Sequence, residues 1–172
     1  MAPQPGESRL EPCFVCGALV PDIEESVHKY VPSSPGCWRT FGEVQADEMM
    51  RFRYPPAHRL VVDAYMAQHP GDGTDRRDRQ SVFVHLAGLC AALTLEIPAP
   101  VVTNAFRRLL AEHEGFPFLQ RRPDPGALTV LHMVGAADLD DYSRRAREWA
   151  QAVWASWETQ HAVIRDALEA VL

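Results

Sequence analysis

Two cysteines three residues apart and followed by glycine, Cys13-Phe14-Val15-Cys16-Gly17, constrain this chain more than any other feature of its sequence. Cysteines at that spacing can wrap one tight turn, so that both thiolates face a common point and backbone amides aim at the sulfurs. Gly17 supplies a permissive backbone just after the second cysteine. Such a knuckle is half of a tetrahedral metal site, and two more ligands must come from elsewhere. Cys37 is the obvious third. Ser34-Pro35 reads as a helix start, with Ser34 as N-cap and Pro35 at the first helical position. Cys37 then lies in the first turn, where the positive end of the helix favours the thiolate that a metal needs.

His28 is the only histidine between Cys16 and Cys37 and completes a Cys3His set, with Asp22, Glu24 and Glu25 as alternatives for the fourth position. Three sulfurs and one nitrogen suit Zn2+. Ligation entirely by protein leaves no open coordination position, so this site is expected to be structural rather than catalytic. Four cysteines in a reducing compartment do not make a disulfide framework, and their spacing points to a metal instead.

The remainder reads as helices. The first starts at Pro35, carries Trp38, Phe41, Val44, Met49 and Phe52 near helical spacing, and is stopped by Pro55-Pro56. A second runs from about Ala57 to Gln68 and ends at Pro70-Gly71. The third begins at Asp75 and is apolar nearly all round from Ser81 to Leu95, which marks a central helix. Pro100 opens a fourth, closed by Gly115. Residues 116–127 hold three prolines and one glycine and form a long connection. Thr129 begins a short helix to Val134. A last helix is expected from about Asp140 to the end, with Tyr142, Ala146, Trp149, Val153, Trp157, Ile164 and Leu168 on one stripe. The fold class is therefore all-α: a bundle of five or six helices with a small N-terminal zinc-binding lobe. The expected organisation is a loose, disordered tail over residues 1–10, then one helical domain over 11–172 whose lobe spans 11–37. At 172 residues, such a chain buries roughly 70% of its unfolded surface and does not depend on a metal for its bulk.

A second cluster of polar residues lies on helices two and three. His58, Tyr65 and His69 share one stripe of the second helix, and His85 falls in the middle of the apolar third. If the two helices are antiparallel neighbours, Tyr65, Gln68, His69, Gln80, Ser81 and His85 gather along one groove, with Asp63 at its rim. A structural alternative stands beside this: His69 meets the carbonyls at its helix end, and His85 is a core histidine bonded to Asp63 or a neighbouring helix. Cys90 is expected to be an inert core thiol.

These stretches together resemble a group of bacterial proteins catalogued as a domain of unknown function. The matching pieces are Cys13-x-x-Cys16-Gly17, His28, Ser34-Pro35-Gly36-Cys37-Trp38, Val62-Asp63-Ala64-Tyr65 with Gln68-His69-Pro70, Gln80-Ser81 with His85-Leu86, Gly126-Ala127-Leu128-Thr129-Val130 and the Trp-rich final helix. The resemblance implies no activity, only that both constellations belong to one design.

Several functions are excluded or weakened. No apolar run approaches the ~20 residues of a membrane helix, and the N-terminus lacks the basic and apolar regions of a signal peptide, so a cytoplasmic location is expected. The net charge of −6, with Lys29 the only lysine and each arginine cluster matched by nearby acids, argues against nucleic acid as the main partner. Phosphate-loop, dinucleotide, His-Glu-x-x-His and Gly-x-Ser-x-Gly motifs are absent. Two classes remain: a zinc-stabilised module binding a small molecule or protein between helices, or a small enzyme using His69 and His85 as acid and base or as ligands of a second metal.

Overall fold

A computed structural model describes residues 9–112, 116–120 and 124–172. The expected tail over 1–10 therefore lies outside the described residues except for Arg9 and Leu10, as do the helix stop at Gly115 and the arginine pair at 121–122. Among the described residues the chain is mostly helical, as the periodicity predicts. It forms six α-helices: α1 (Pro35–Phe52), α2 (His58–Gln68), α3 (Arg76–Leu93), α4 (Ala99–Glu112), α5 (Leu139–Ala155) and α6 (His161–Glu169). None is long and apolar enough to cross a membrane.

The N-terminal lobe carries an element that periodicity does not reveal. The knuckle is the tip of a small antiparallel hairpin, β1 (Leu10–Pro12) and β2 (Leu19–Pro21), with Glu11 opposite Val20. Three-residue strands are too short to show alternation. Gly36 lets α1 begin directly against this hairpin, because a Cβ there would stand 2.0 Å from the Pro21 carbonyl oxygen. Ser34 takes the extended conformation of an N-cap, but its hydroxyl makes no capping bond. Asp75, by contrast, caps α3 by accepting from the Arg77 amide.

The apolar run of α3 is central as expected: it packs against α2, α4, α5 and α6 and buries Phe83, Leu86, Leu89 and Cys90. Helix α2 lies between α3 and α5, so the residues it carries are enclosed from two sides. Thr129 starts the expected short element, a 3-10 turn over Val130–Met133, and its hydroxyl accepts from the Leu131 amide at 3.4 Å.

The single long C-terminal helix is corrected. Helix α5 ends at Ala155, a 3-10 turn covers Glu158–Gln160, and α6 resumes at His161. Side chains satisfy the break: the Ser156 hydroxyl donates to the Val153 carbonyl at 2.7 Å, and the His161 ring bonds the Trp154 carbonyl at 2.8 Å. Trp157 at the break sends its indole N–H to the Ala67 carbonyl of α2 at 3.2 Å. Trp157 and Ile164 are seven residues apart and stay in phase with one stripe, so periodicity could not reveal the interruption.

Candidate metal centre

The hairpin brings Cys13 and Cys16 to one point. The Gly17 amide donates to the Cys13 carbonyl at 2.8 Å, and the Cys13 amide to Ala18 at 2.8 Å, with Gly17 at φ +76°. Pro35 and Gly36 set the first turn of α1 so that Cys37 faces the same point. The fourth member comes from the C-terminal end of α2. It is His69.

Cys13, Cys16, Cys37 and His69 are all buried, and their ligand atoms lie within 4.8 Å of one another. Cys16 Sγ and Cys37 Sγ are 3.8 Å apart, Cys37 Sγ and His69 Nε2 3.5 Å, and Cys13 Sγ and His69 Nε2 3.8 Å. A tetrahedral ion with metal–sulfur bonds of about 2.3 Å and metal–nitrogen bonds of about 2.0 Å sets sulfur–sulfur edges of about 3.8 Å and sulfur–nitrogen edges of about 3.5 Å. The cluster is therefore compatible with one metal ion at its centre. All four cysteines are free thiols, and a separation of 3.8 Å is far beyond a sulfur–sulfur bond of about 2.05 Å.

The surroundings fit a metal as well. His69 Nδ1 lies 2.8 Å from the Tyr65 carbonyl, which can only accept. The proton is thus held on Nδ1, and the Nε2 lone pair is turned to the sulfurs, as in histidine ligands fixed from their second nitrogen. The Ser34 amide donates to Cys13 Sγ at 3.5 Å, and the Tyr65 hydroxyl to Cys37 Sγ at 3.6 Å. Tyr65 itself stacks between Phe41 at 3.9 Å and His69 at 4.2 Å, and this aromatic wall excludes water.

The sulfurs also limit one another. Donation from the Cys16 and Cys37 thiols holds the Cys13 thiol far below its usual range. Cys13 in turn pushes Cys16 up to about 11, and Cys13 and Cys16 push Cys37 far up. Three adjacent sulfurs thus sustain one thiolate by themselves, and a divalent cation is what would let all three ionise together.

His28 is not in this cluster. Its side chain is exposed, its ring packs 5.7 Å from Trp38, and its Nδ1 accepts from the Tyr30 amide at 3.2 Å. Sequence proximity favoured it, but the turn after Val27 points it to the outside of the lobe. The acidic alternatives also lie elsewhere: Asp22 faces Arg9 and Glu25 pairs with Arg39. The signal for His69 was available in the sequence, as a histidine directly before Pro70 at a helix end. What sequence could not supply was that the lobe folds back onto that end.

The expected groove is divided by the same geometry. His69 is enclosed, with Nδ1 on the Tyr65 carbonyl and Nε2 on the sulfurs, so it does not share a pocket with His85. Tyr65 is fully buried beside the cysteines. Gln68 is a tie: its amide donates to the Pro125 and Leu128 carbonyls at 3.0 and 2.7 Å, and its oxygen accepts from the Trp149 indole at 3.2 Å. Asp63, expected at a rim, is buried at 1% exposure between α2 and α3. Its Oδ1 meets His85 Nδ1 at 2.8 Å and its Oδ2 meets Arg59 Nε at 3.1 Å. Ser81, Gln80 and His85 do line one cavity, on the outer side of α3. His58, at the far end of the α2 stripe, bonds the fully buried Glu48 at 2.9 Å.

A family model described as "Family of unknown function (DUF5946)" matches residues 11–158. The chain belongs to that family. The matched DUF5946 span contains the hairpin from Glu11 on, all four members of the cluster, and the Asp63–His85 pair. No curated protein and no solved structure matches the chain.

Proposed function

We propose that Cys13, Cys16, Cys37 and His69 bind one Zn2+ ion, and that the ion is a structural clasp in a helical module that takes a small molecule between its helices. The carrying observation is the orientation of His69, whose Nδ1 is spent on the Tyr65 carbonyl while Nε2 faces sulfurs at tetrahedral edge lengths. Three sulfurs and a nitrogen in a closed shell are a donor set that zinc favours. When bound, the ion supplies the positive charge that lets three thiolates coexist. Zinc in small lobes of this kind contributes on the order of 10 kcal/mol to folding.

Four protein ligands and full burial leave no position for water or substrate, which favours a structural role over chemistry at the metal. The ligand site then belongs to the helical part. Cavities of about 380 and 360 Å³ flank α3, at the lower end of the ~300–1,000 Å³ typical of small-molecule sites. A small molecule fits that scale better than a protein partner does.

Metal analysis of protein purified without chelator tests the clasp. The expected result is about one zinc per chain, with an X-ray absorption shell of three sulfurs and one nitrogen. Cys16→Ser should lose the ion while helical circular dichroism persists. Zinc-free protein, or a shell of oxygen and nitrogen only, overturns the proposal.

A further inference from the structure

From the arrangement on α3 we infer that the cavity beside His85 is a binding site for a small oxyanion that keeps an acidic O–H near neutral pH, of the inorganic-phosphate class. In it, Arg77 meets the negative charge and His85 Nε2 accepts the proton-bearing oxygen. The inference rests on the small-molecule reading above and names its ligand, but it does not depend on the zinc clasp.

Three observations converge on this site. The first is the state of His85. Its Nδ1 lies 2.8 Å from Asp63 Oδ1, and that carboxylate is already salt-bridged to Arg59 through Oδ2 at 3.1 Å. A carboxylate compensated by arginine accepts rather than donates, so the ring proton sits on Nδ1. Nε2, on the opposite edge, is left with its lone pair and has no hydrogen-bond partner among the described residues. The ring borders the cavity, with its side chain 22% exposed. A buried acid that fixes the tautomer of a histidine facing a cavity is the arrangement that presents a base or an acceptor to a ligand.

The second observation is how this pair is held. Asp63 reaches α3 only because residue 88 is glycine: a Cβ there would stand 2.0 Å from Asp63 Oδ2. Enclosing a carboxylate costs solvation that an apolar contact between two helices would not. Arg59 alone could have neutralised it, so the bond to His85 adds orientation beyond charge balance.

The third is the opposite wall. Arg77 lies two turns before His85 on α3 and lines the same cavity, with Gln80 and Ser81 between them. Its guanidinium donates to the Tyr30 hydroxyl at 2.9 Å and sits over that ring, and no carboxylate pairs with it among the described residues. Two arginines, Arg76 (which donates to Gln80 Oε1 at 3.1 Å) and Arg77, with Gln80, Ser81 and one oriented acceptor, in about 360 Å³, match an anion that also carries a proton. Ser81 makes no hydrogen bond to His85 among the described residues, so the geometry supports binding and proton acceptance without assigning a nucleophile.

Inorganic phosphate and sulfate are the probes. Near neutral pH phosphate retains an O–H and sulfate has none, so only phosphate can satisfy both walls. Titrations of zinc-loaded full-length protein, followed by NMR of the histidine ring nitrogens at constant ionic strength, should show saturable shifts at His85 with phosphate. Sulfate should bind on the order of ten-fold more weakly, as the loss of one charge-assisted hydrogen bond implies. Arg77→Met, on the exposed end of α3, should weaken phosphate by a similar factor and leave the fold unchanged. Asp63 is a positioning residue, and Asp63→Asn should move the His85 proton from Nδ1 toward Nε2 in the same spectra. Because that variant could unfold, the tautomer of the unsubstituted protein is an independent check: it must show Nδ1–H. Equal response to sulfate and phosphate, no saturable shift, indifference to Arg77→Met, or an Nε2–H tautomer each overturns the inference. Any of these with zinc still bound leaves the clasp standing.

Discussion

His69 Nε2 stands 3.5 Å from Cys37 Sγ, so the last turn of α2 and the first turn of α1 meet at a single point. The hairpin knuckle closes on that point from outside. The proposed ion therefore joins three segments that are remote in sequence, not the two ends of one local loop. The bond from His69 Nδ1 to Tyr65 and the stacking of Tyr65 on Phe41 tie the cluster to the bundle core. Loss of the ion should free the lobe at residues 10–34 without dissolving α2 to α6.

The two histidines separate under substitution. His69→Ala should lower zinc affinity by more than about 100-fold, since even groups that merely orient a ligand are worth 10–100-fold. His28→Ala should keep one zinc per chain, because the exposed His28 ring packs on Tyr30 and Trp38 and lies outside the cluster. Competition with a chromophoric chelator measures both. Equal zinc loss in the two variants would place the fourth ligand wrongly.

Much of this molecule was legible in the sequence, and the failures have a common cause. The helix positions followed from capping residues, proline stops and apolar spacing, all of which act within one or two turns. The three cysteines were found because knuckle spacing and a helix start are local as well. His28 was preferred to His69 because a local argument rewards the nearest histidine, whereas the choice is made by long-range docking of the lobe on α2. The same limit split the expected groove. His69 and His85 sit on facing helices, but a buried tyrosine and glutamine stand with His69, and a buried aspartate stands with His85.

Cys90 supplies a contrast to the cluster. Burial in the apolar face of α3 pushes its thiol up to about 11 from 9.0. A raised folded-state value means that the folded chain holds this proton more tightly, so the contribution is complete below pH 9 and is lost as pH rises toward 11. Between those limits stability should fall by up to about 2–3 kcal/mol from this group. In native protein at neutral pH Cys90 should resist alkylation by iodoacetamide even after zinc is chelated, while Cys13, Cys16 and Cys37 become reactive. Prompt labelling of Cys90 alongside them would show that α3 is less enclosed than described.

Gly88→Ala tests the seat of Asp63. Alanine in place of glycine in a helix interior ordinarily adds stability, by about 1 kcal/mol. Here the new methyl would meet Asp63 Oδ2 at 2.0 Å, on a side chain pinned by His85 and Arg59. Displacing it forces apart α2 and α3 or breaks one of those bonds, at a cost of about 1–3 kcal/mol. The net expectation is a melting temperature lower by a few degrees, and a higher one would mean that Asp63 moves freely.

Gln68→Leu addresses the long connection before α5. The Gln68 amide holds the Pro125 and Leu128 carbonyls at 3.0 and 2.7 Å, and its oxygen receives the Trp149 indole at 3.2 Å. The side chain is fully enclosed, so these bonds form away from competing water. Leucine is close in size, fills the same space and replaces none of them. Each buried group deprived of its partner costs about 1–3 kcal/mol, moderated where the backbone can relax toward solvent. The indole belongs to the fully buried Trp149 and has least room to relax, whereas the two carbonyls belong to irregular backbone. Gln68→Leu should therefore lower stability by about 2–4 kcal/mol and speed proteolytic cleavage around residues 116–128 in native protein. Zinc content and phosphate binding at His85 should remain unchanged, because the bonds Gln68 makes to Pro125, Leu128 and Trp149 lie outside both clusters. Were phosphate binding lost with the fold and zinc intact, Gln68 would belong to the ligand site and the division between the two clusters would fail.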